Sequence, residues 1–444
     1  MSSADKNQSE VVALAQKFQD KGFAGKVGVV VVDLGEPDTP PYYRLDPARF
    51  PDVPAMAAQV EKLTGGSTLM PNIKPSSVAS ADCPACGAGH AHDGDNGKPD
   101  GMFDASIQAC RECLWSKRVK PFLYDRGVTG FWLDDDEGVD FHLTPPRPHG
   151  PSCPPGSKPR PQPCPTHKRR TFCVSNPAPD QCESPPQSSC PPCPAAPAAS
   201  NATSWACGPP EYCGMAMAGR MWPSVYADGT VNASGTALVL SRNVWAGAAA
   251  HGTALWSSDI ACTWTELAAQ LPTGLSAGLS GIPYWTSDVG GFSGTPSPEL
   301  AARWHQFGSV CPLYRSHGTT PREPWAFGPE AEASITKSIE LRKALHGYIM
   351  ALAANASAHG TPLMRPIWWE FDDTEAIAHE EACFMLGPAY FVVPVLAPNT
   401  TSMAIYFPSG ANFTHYYSKA VFEGGRSHAV PTPLDQLALF EVAR

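Results

Sequence analysis

The 444-residue chain is 43% hydrophobic and 17% charged, a globular rather than a disordered composition, with room for a large α/β barrel plus a smaller unit, or for two or three domains. A formal net charge of −10 counts against a nucleic-acid or anionic-membrane partner and leaves a neutral or cationic small substrate. No apolar run reaches the roughly 18 residues of a membrane-spanning helix, so no membrane insertion is expected.

Taken in chain order, residues 1–16 are polar and lack the apolar core of a signal peptide. Val11, Val12, Leu14, Ala15 and Phe18 recur at helical spacing and predict a helix over 10–24. Residues 26–33 follow as a run of valines ending in Asp33, the pattern of a buried parallel strand. A helix is predicted over 54–64, a short strand over 67–73, and a helix with a basic C-terminal half over 104–123. The apolar stretch Gly130–Leu133 reads as a strand that delivers Asp134, and 237–240 as a strand ending at Ser241 and Arg242. Leu255 and Trp256 lead into Ser257, Ser258 and Asp259. A helix is predicted over 263–271, resuming after Pro272 as far as Leu279, then a strand over 282–286 just before Asp288. Strand and helix alternate throughout, with polar residues at the strand ends. That is the pattern of a (β/α) barrel, whose chemistry sits at the C-terminal face.

Two segments break the alternation. Residues 145–200 hold 18 of the 48 prolines and six cysteines. Proline withholds backbone donors and blocks helices, so 145–206 is expected to be an insertion without regular structure, either a disordered loop or a small disulfide knot. Residues 76–103 form a Cys/Gly-rich loop. Cys83 with Cys86 and Cys110 with Cys113 have zinc-ribbon spacing, with Asp82, His90 and His92 nearby. Disulfides or free thiols are the competing reading. From residue 389 onward short strands alternate with turn signals, so the chain divides into a barrel over 1–388 and part of a β domain over 389–444. The 15 cysteines and six glycosylation sequons (Asn7, Asn201, Asn232, Asn355, Asn399, Asn412) point to the secretory pathway, extracellular or vacuolar/lysosomal. An N-terminus beyond the sequence would reconcile that with the absent signal peptide.

Asp134 and Asp259 are two carboxylates delivered by apolar strands far apart in sequence. A glycosidase needs such a pair, one to attack or to activate water and one to protonate the leaving oxygen. Each has a plainer reading. Asp134 opens a run of four acids that could form a solvated turn, or a metal-binding Asp-x-Asp of a nucleotide-sugar glycosyltransferase. Asp259 could cap the following helix. Arg242 could be a structural ion pair, Asp288 could shape the turn at Gly290 and Gly291, and His317, Trp256 and Phe292 could be packed core.

Six blocks in order then carry a resemblance. They are Asp33 with the later Arg49-Phe50-Pro51-Asp52, the strand ending in Asp134, and Leu240-Ser241-Arg242-Asn243-Val244-Trp245. Next come Leu255-Trp256-Ser257-Ser258-Asp259, the block Leu279 to Phe292, and Pro312-Leu313-Tyr314-Arg315-Ser316-His317-Gly318. The stretch from Val27 to about Arg444 resembles glycoside hydrolase family 31, the α-glucosidase and α-xylosidase family. The resemblance implies a (β/α)8 barrel, here without its first strand, followed by the start of a C-terminal β-sandwich domain. It implies Asp134 as nucleophile and Asp259 as general acid/base. Asp33, Arg242, Asp288 and His317 would bind sugar hydroxyls, and Trp132, Trp256 and Phe292 would line the pocket. Arg242 would hold the nucleophile ionised, and Asp259 would sit poorly solvated against Trp256 so as to carry its proton. The family's Met-Asn-Glu after the nucleophile is Asp135-Asp136-Glu137 here, and its glycine before the acid is Ser258.

The expectation is a retaining exo-acting α-glycosidase that needs neither metal nor cofactor and acts on an oligosaccharide or α-glycoside. Residues 284–288 resemble the α-xylosidase branch somewhat more than the α-glucosidase one. The alternatives are a truncated, inactive homologue that binds sugar or serves an active partner, and a metal-dependent glycosyltransferase. The sequence leaves the oligomeric state open.

Overall fold

A computed structural model describes residues 7–33, 44–73, 83, 91–93, 99–101, 108–134, 223–229, 238–245 and 247–444. All of them belong to one compact unit made of residues 1–140 and 214–444. The proline-rich insertion, Cys86 and the acids at 135–137 lie outside the described residues.

Helix α1 (Gln8–Asp20) starts on a capping box, in which the Asn7 side chain accepts from the Glu10 N–H and Glu10 reaches back to the Asn7 N–H. Strand β1 (Val29–Val32) follows, three of its four valines buried. Helix α2 (Val53–Thr64) begins at Asp52, whose side chain accepts from Ala55 N–H, with proline inside its first turn where no N–H is needed. It ends at left-handed Gly65 and leads to β2 (Thr68–Ile73). A small hairpin (Ala91–Asp93 with Pro99–Gly101) and helix α3 (Gln108–Leu114) precede β3 (Gly130–Leu133). Strands β4 (Leu238–Ser241), β5 (Thr253–Trp256) and β6 (Trp285–Thr286) complete the set. The six strands form one sheet in strict sequence order, every pairing parallel. Such order is that of an arc of a barrel wall. Inside the curve, Val31, Met70, Trp132, Leu240, Ala254 and Trp256 pack as one apolar cluster. Among the described residues no strand pairs with the outer edge of β1. At the opposite end the chain at 313–316 continues the wall, since Leu313 N–H donates to Trp285 C=O and Val289 N–H to Arg315 C=O.

Helix α4 (Trp264–Leu279) runs unbroken through Pro272, where the sequence suggests an interruption. Pro272 faces solvent, so water can take the carbonyl that its missing N–H leaves free, and the helix tolerates it. The helix predicted over 104–123 differs in the other direction. After α3 it widens into a π-helical stretch over Trp115–Val119, where Lys120 N–H donates to Trp115 C=O, and it stops at Phe122. Pro121 cannot donate to continue it. Cys83 and Cys113 form a disulfide and Cys110 is also disulfide-bonded. Oxidised sulfurs are not thiolate ligands, so the zinc-ribbon reading of these cysteines fails.

Helices α5 (Pro298–Ser309), α6 (Pro329–Ala344) and α7 (His346–His359) join the barrel to a second sheet. That sheet contains β7 (Met364–Arg365), β8 (Phe384–Leu386), β9 (Tyr390–Val393), β11 (Asn412–His415), β12 (Val421–Glu423) and β14 (Ala438–Ala443), in the order β12-β11-β14-β9-β8-β7 and antiparallel throughout. Strands β10 (Ser402–Phe407) and β13 (Arg426–Pro431) form a separate antiparallel pair. Phe391, Phe407, Phe413 and Phe440 fill the space between. Buried Arg303 of α5 ties the two parts together by donating to the carbonyls of Pro433, Thr400 and Thr432.

Candidate active site

The residues singled out in the sequence converge on one face. Asp33 follows β1, Asp134 follows β3, Arg242 follows β4, and Asp259 lies three residues beyond β5. Asp288 lies two beyond β6, and His317 directly follows the wall segment 313–316. Parallel strands in sequence order put all their C-terminal ends on the same side, so residues up to 284 positions apart meet there.

Asp134 is held from two sides. Arg242 Nη1 donates to its Oδ1 at 3.1 Å, and Asn72 Nδ2 donates to its Oδ2 at 2.9 Å. The same Asn72 amide donates to Asp33 Oδ1 at 2.9 Å. One buried amide with two N–H bonds thus fixes two carboxylates. The other arm of Arg242, Nη2, lies 4.0 Å from Asp259 Oδ2. The guanidinium therefore stands between Asp134 and Asp259. It separates the two carboxyl groups and orients them.

Asp259 is the most open of the four acids, with its side chain 35% exposed against 15% for Asp134. This corrects the expectation of a poorly solvated acid sealed against Trp256. Trp256 is instead buried in the barrel cluster. Asp259 is not a helix cap either, because Thr263 fills that role with its hydroxyl accepting from Glu266 N–H at 3.1 Å. The preceding Ser258 has φ of 63°, a left-handed conformation that costs a residue with a Cβ roughly 1–2 kcal/mol. The kink turns the chain at the end of β5.

Asp288 is fully buried and paired with Arg315, whose Nη2 donates to Oδ1 at 2.5 Å. The guanidinium lies over the rings of Trp132 at 4.5 Å and Trp256 at 5.2 Å, a desolvated cation–π arrangement. Burial pushes the Asp288 carboxyl up to about 6, against the opposing pull of Arg315. A short ion pair and a raised value point in opposite directions, and the complete burial of the carboxyl outweighs one cation. Asp288 Oδ2 has no hydrogen-bond partner among the described residues.

The loop after β6 is built to hold Asp288 and Phe292 in place. Gly291 has φ of 78°, and a Cβ there would meet the Cys262 backbone at 2.7 Å, so only glycine fits. Fully buried Arg322 donates to the carbonyls of Gly291 at 2.9 Å and Gly294 at 2.7 Å and to Cys262 Sγ at 3.0 Å. His317 stacks on Phe292 at 5.3 Å, meets Trp132 edge-on at 4.9 Å, and lies 3.9 Å from Asp33. Asp33, Trp132, Asp134, Arg242, Trp256, Asp259, Asp288, Phe292 and His317 are thus linked in one network. Asn72, Arg315 and Arg322 complete it and had no role assigned from sequence. Their signals were an amide inside an apolar strand and two arginines flanking His317.

The ion pair gives a stability prediction. The folded-state value of Asp288 is raised above its ordinary 3.8 to about 6. Its ionisation therefore works against the fold, and stability falls as pH rises from about 4 to 6. Arg315→Met removes the opposing cation and leaves burial unchecked. The variant should lose about 3–5 kcal/mol at pH 8, and distinctly less at pH 5, where the carboxyl holds a proton. Urea unfolding at both pH values measures this, and an equal loss at the two would refute the pairing.

Residues 1–352 match the glycosyl hydrolases family 31 TIM-barrel domain, and residues 360–441 match the glycosyl hydrolase family 31 C-terminal domain. Alpha-xylosidase A of Aspergillus niger is 27% identical over 495 aligned positions, which span 98% of this chain and 61% of that relative. Alpha-xylosidase of Saccharolobus solfataricus is 38% identical over 209 residues, 46% of this chain and 29% of that relative. Among solved structures, the xylosidase from Aspergillus niger superposes with a TM-score of 0.77 at 25% identity, over 99% of this chain and 62% of that one. A GH31 alpha-xylosidase from a soil metagenome, complexed with xylose, gives 0.76 at 24% over 98% and 61%, a likeness of fold. The chain spans less than two thirds of the length of these relatives.

Proposed function

The chain belongs to glycosyl hydrolase family 31, and we propose that it is a retaining exo-α-glycosidase acting on α-glucosides or α-xylosides. The observation that carries the proposal is the Arg242 guanidinium set between Asp134 and Asp259 at the C-terminal end of the sheet. Asp134 attacks the anomeric carbon while Asp259 gives its proton to the departing glycosidic oxygen. The bond to the aglycone breaks and a β-linked glycosyl ester on Asp134 forms. Asp259, now ionised, takes a proton from water. The water oxygen attacks the anomeric carbon, the ester bond breaks, and an α-configured sugar leaves with Asp134 restored. The exposure of Asp259 suits the second half, in which it must meet water. The Asp134 carboxylate faces the positive charge that develops at the anomeric carbon in an oxocarbenium-like transition state. Asp288 Oδ2, which has no hydrogen-bond partner among the described residues, would accept from a sugar hydroxyl. A xyloside substrate draws support from the relatives named α-xylosidase, one of which aligns along 98% of this chain.

Hydrolysis of 4-nitrophenyl α-glucoside and α-xyloside tests the reading, with EDTA as a second arm and proton NMR of the first-formed sugar as a third. The α anomer should appear first, and EDTA should leave the rate unchanged. A first-formed β anomer would overturn retention, and loss with EDTA would favour a metal-dependent glycosyltransferase. A second reading, an inactive sugar-binding homologue, draws support from the edge of β1, with which no strand pairs among the described residues. A folded, sugar-binding sample with no turnover would establish it.

A further inference from the structure

Trp132 and Trp256, the tryptophans of the site, are both buried. Trp245 is the opposite case, 56% exposed. It lies in the loop that joins β4 to β5, three residues after Arg242. The other large apolar side chains exposed among the described residues are Leu279, Met350, Trp368, Trp369 and Val421. Leu279 ends α4, Met350 lies on α7, Trp368 and Trp369 follow β7, and Val421 opens β12. Trp245 alone belongs to a loop at the C-terminal ends of the parallel strands, where the carboxylates are.

The loop that carries it is braced on both sides. Arg242 N–H donates to Leu133 C=O at 3.1 Å, and the Ser241 hydroxyl donates to Asn243 C=O at 2.7 Å. Beyond the tryptophan, Ala248 N–H donates back to Trp245 C=O at 3.0 Å, and Ala248 is fully buried where a 3-10 turn begins. Gly247 has φ of 92°, a left-handed turn that leads the chain into that anchor. A platform on a braced backbone has little freedom left to lose when a ligand covers it. Among the described residues no ring, cation or hydrogen bond occupies its indole.

The position of the loop decides which part of a substrate it meets. Strand β4 lies between β3 and β5, so its loop is bordered by the two that carry Asp134 and Asp259. Three residues of chain span at most about 11 Å, which bounds the distance from the Trp245 Cα to that of Arg242, the residue set between the two carboxyl groups. An acid that protonates the glycosidic oxygen has the leaving group beside it. That acid is Asp259, the more open of the pair. We infer that Trp245 is the stacking platform for the leaving group, and that the leaving group it selects is a pyranose ring. The C–H face of a pyranose is apolar and slightly positive, and it matches the negative face of an indole. The inference rests on the glycosidase reading for the direction of the leaving group. It makes the site selective for di- and oligosaccharides over glycosides with a small aglycone.

The test compares the full chain with Trp245→Ala and Trp245→Phe on two substrates that share one α-linked sugar. One is the glycosyl fluoride, whose leaving group is a single atom. The other is a disaccharide with that sugar linked to glucose. In Trp245→Ala the ratio of kcat/KM for the disaccharide to that for the fluoride should fall about tenfold, the size of one lost ring contact. The loss should lie in KM, because stacking is the same before and during bond cleavage. Trp245→Phe keeps a ring and should keep most of the ratio. An unchanged ratio in Trp245→Ala, or an equal loss in both variants, would overturn the inference. A second arm needs no turnover. Calorimetry on Asp134→Ala, with and without Trp245→Ala, measures binding of the intact disaccharide and of the free monosaccharide. Loss of Trp245 should weaken the disaccharide about tenfold relative to the monosaccharide. That difference in a parent chain that hydrolyses neither substrate would sink the glycosidase reading and keep the platform. Turnover of both substrates with no such difference would sink the platform alone.

Discussion

Hydrolysis by an Asp134→Ala variant is expected to fall about 10⁴-fold or more, a barrier increase of about 5 kcal/mol or greater. Sodium azide should restore turnover and release a β-glycosyl azide. The surroundings of Asp134 make the loss hard to compensate. Its two oxygens are oriented by Arg242 and by Asn72, and truncation leaves that pair of donors aimed at an empty space. Asp33 cannot substitute, because its own oxygen is held by the same Asn72 amide. A small anion fits the space left by the carboxylate, is drawn in by Arg242, and attacks from the side on which Asp134 stood. The azide product therefore has the configuration of the lost glycosyl ester. A variant within tenfold of the parent would remove Asp134 from the chemistry and return it to a solvated acidic turn.

The sequence shows the catalytic framework better than it shows the scaffold, for physical reasons that individual elements make plain. Strands β1 and β3 are short apolar runs rich in β-branched or aromatic residues that end in an acid, features that separate a buried strand from a helix segment. Helix α6 is the opposite case. Its buried face consists of Ala331, Ser334, Ile335, Ser338 and Leu341, spaced correctly for a helix but made largely of small and hydroxyl side chains, so no apolar stripe marks it. Helix α5 is buried at ten consecutive positions, from Leu300 to Ser309, and burial all round erases periodicity. Strands β7 and β8 have two and three residues, too few to alternate visibly. Their membership in the second sheet comes from the pairing of β8 with β9 and of β7 with β8 rather than from their own residues.

The site divides along the same line. Asp134 and Asp259 are recognisable because each follows an apolar run, and Arg242, Asp288 and His317 because the blocks that hold them resemble those of the family. Asn72 and Arg315 act through partners that lie far off in sequence. Asn72 reaches across 39 and 62 positions to its two carboxylates, and Arg315 reaches back 27 to Asp288. Nothing local distinguishes an amide that joins two acids from one that satisfies its own strand. The exposure of Asp259 was illegible for a related reason. It follows from the left-handed kink at Ser258, which the family's usual glycine would take without strain and which a serine disguises.

Asp259→Ala should produce a loss that depends on the leaving group. Protonation by a positioned acid is worth about 10²–10⁴-fold, and only a poor leaving group needs it. An alkyl or sugar aglycone departs as a strongly basic alkoxide unless Asp259 supplies a proton, so its release should slow by that full factor. 4-Nitrophenolate is a stable anion and leaves nearly unaided. With that substrate the first step stays fast, and hydrolysis of the glycosyl ester becomes limiting, because the same side chain is missing as a base. An initial burst of nitrophenol should precede a slow steady state. Azide needs no base, so it should raise the steady rate and yield an α-glycosyl azide, the opposite anomer to that from Asp134→Ala. Arg242 provides the control on this argument. Removal of Asp259 takes away one of the two carboxyl groups beside its guanidinium, so a purely positional role for Asp259 would weaken attack on every substrate alike. Equal losses for alkyl and nitrophenyl glycosides, with no burst, would therefore assign Asp259 to orienting Arg242 and require the proton to come from elsewhere.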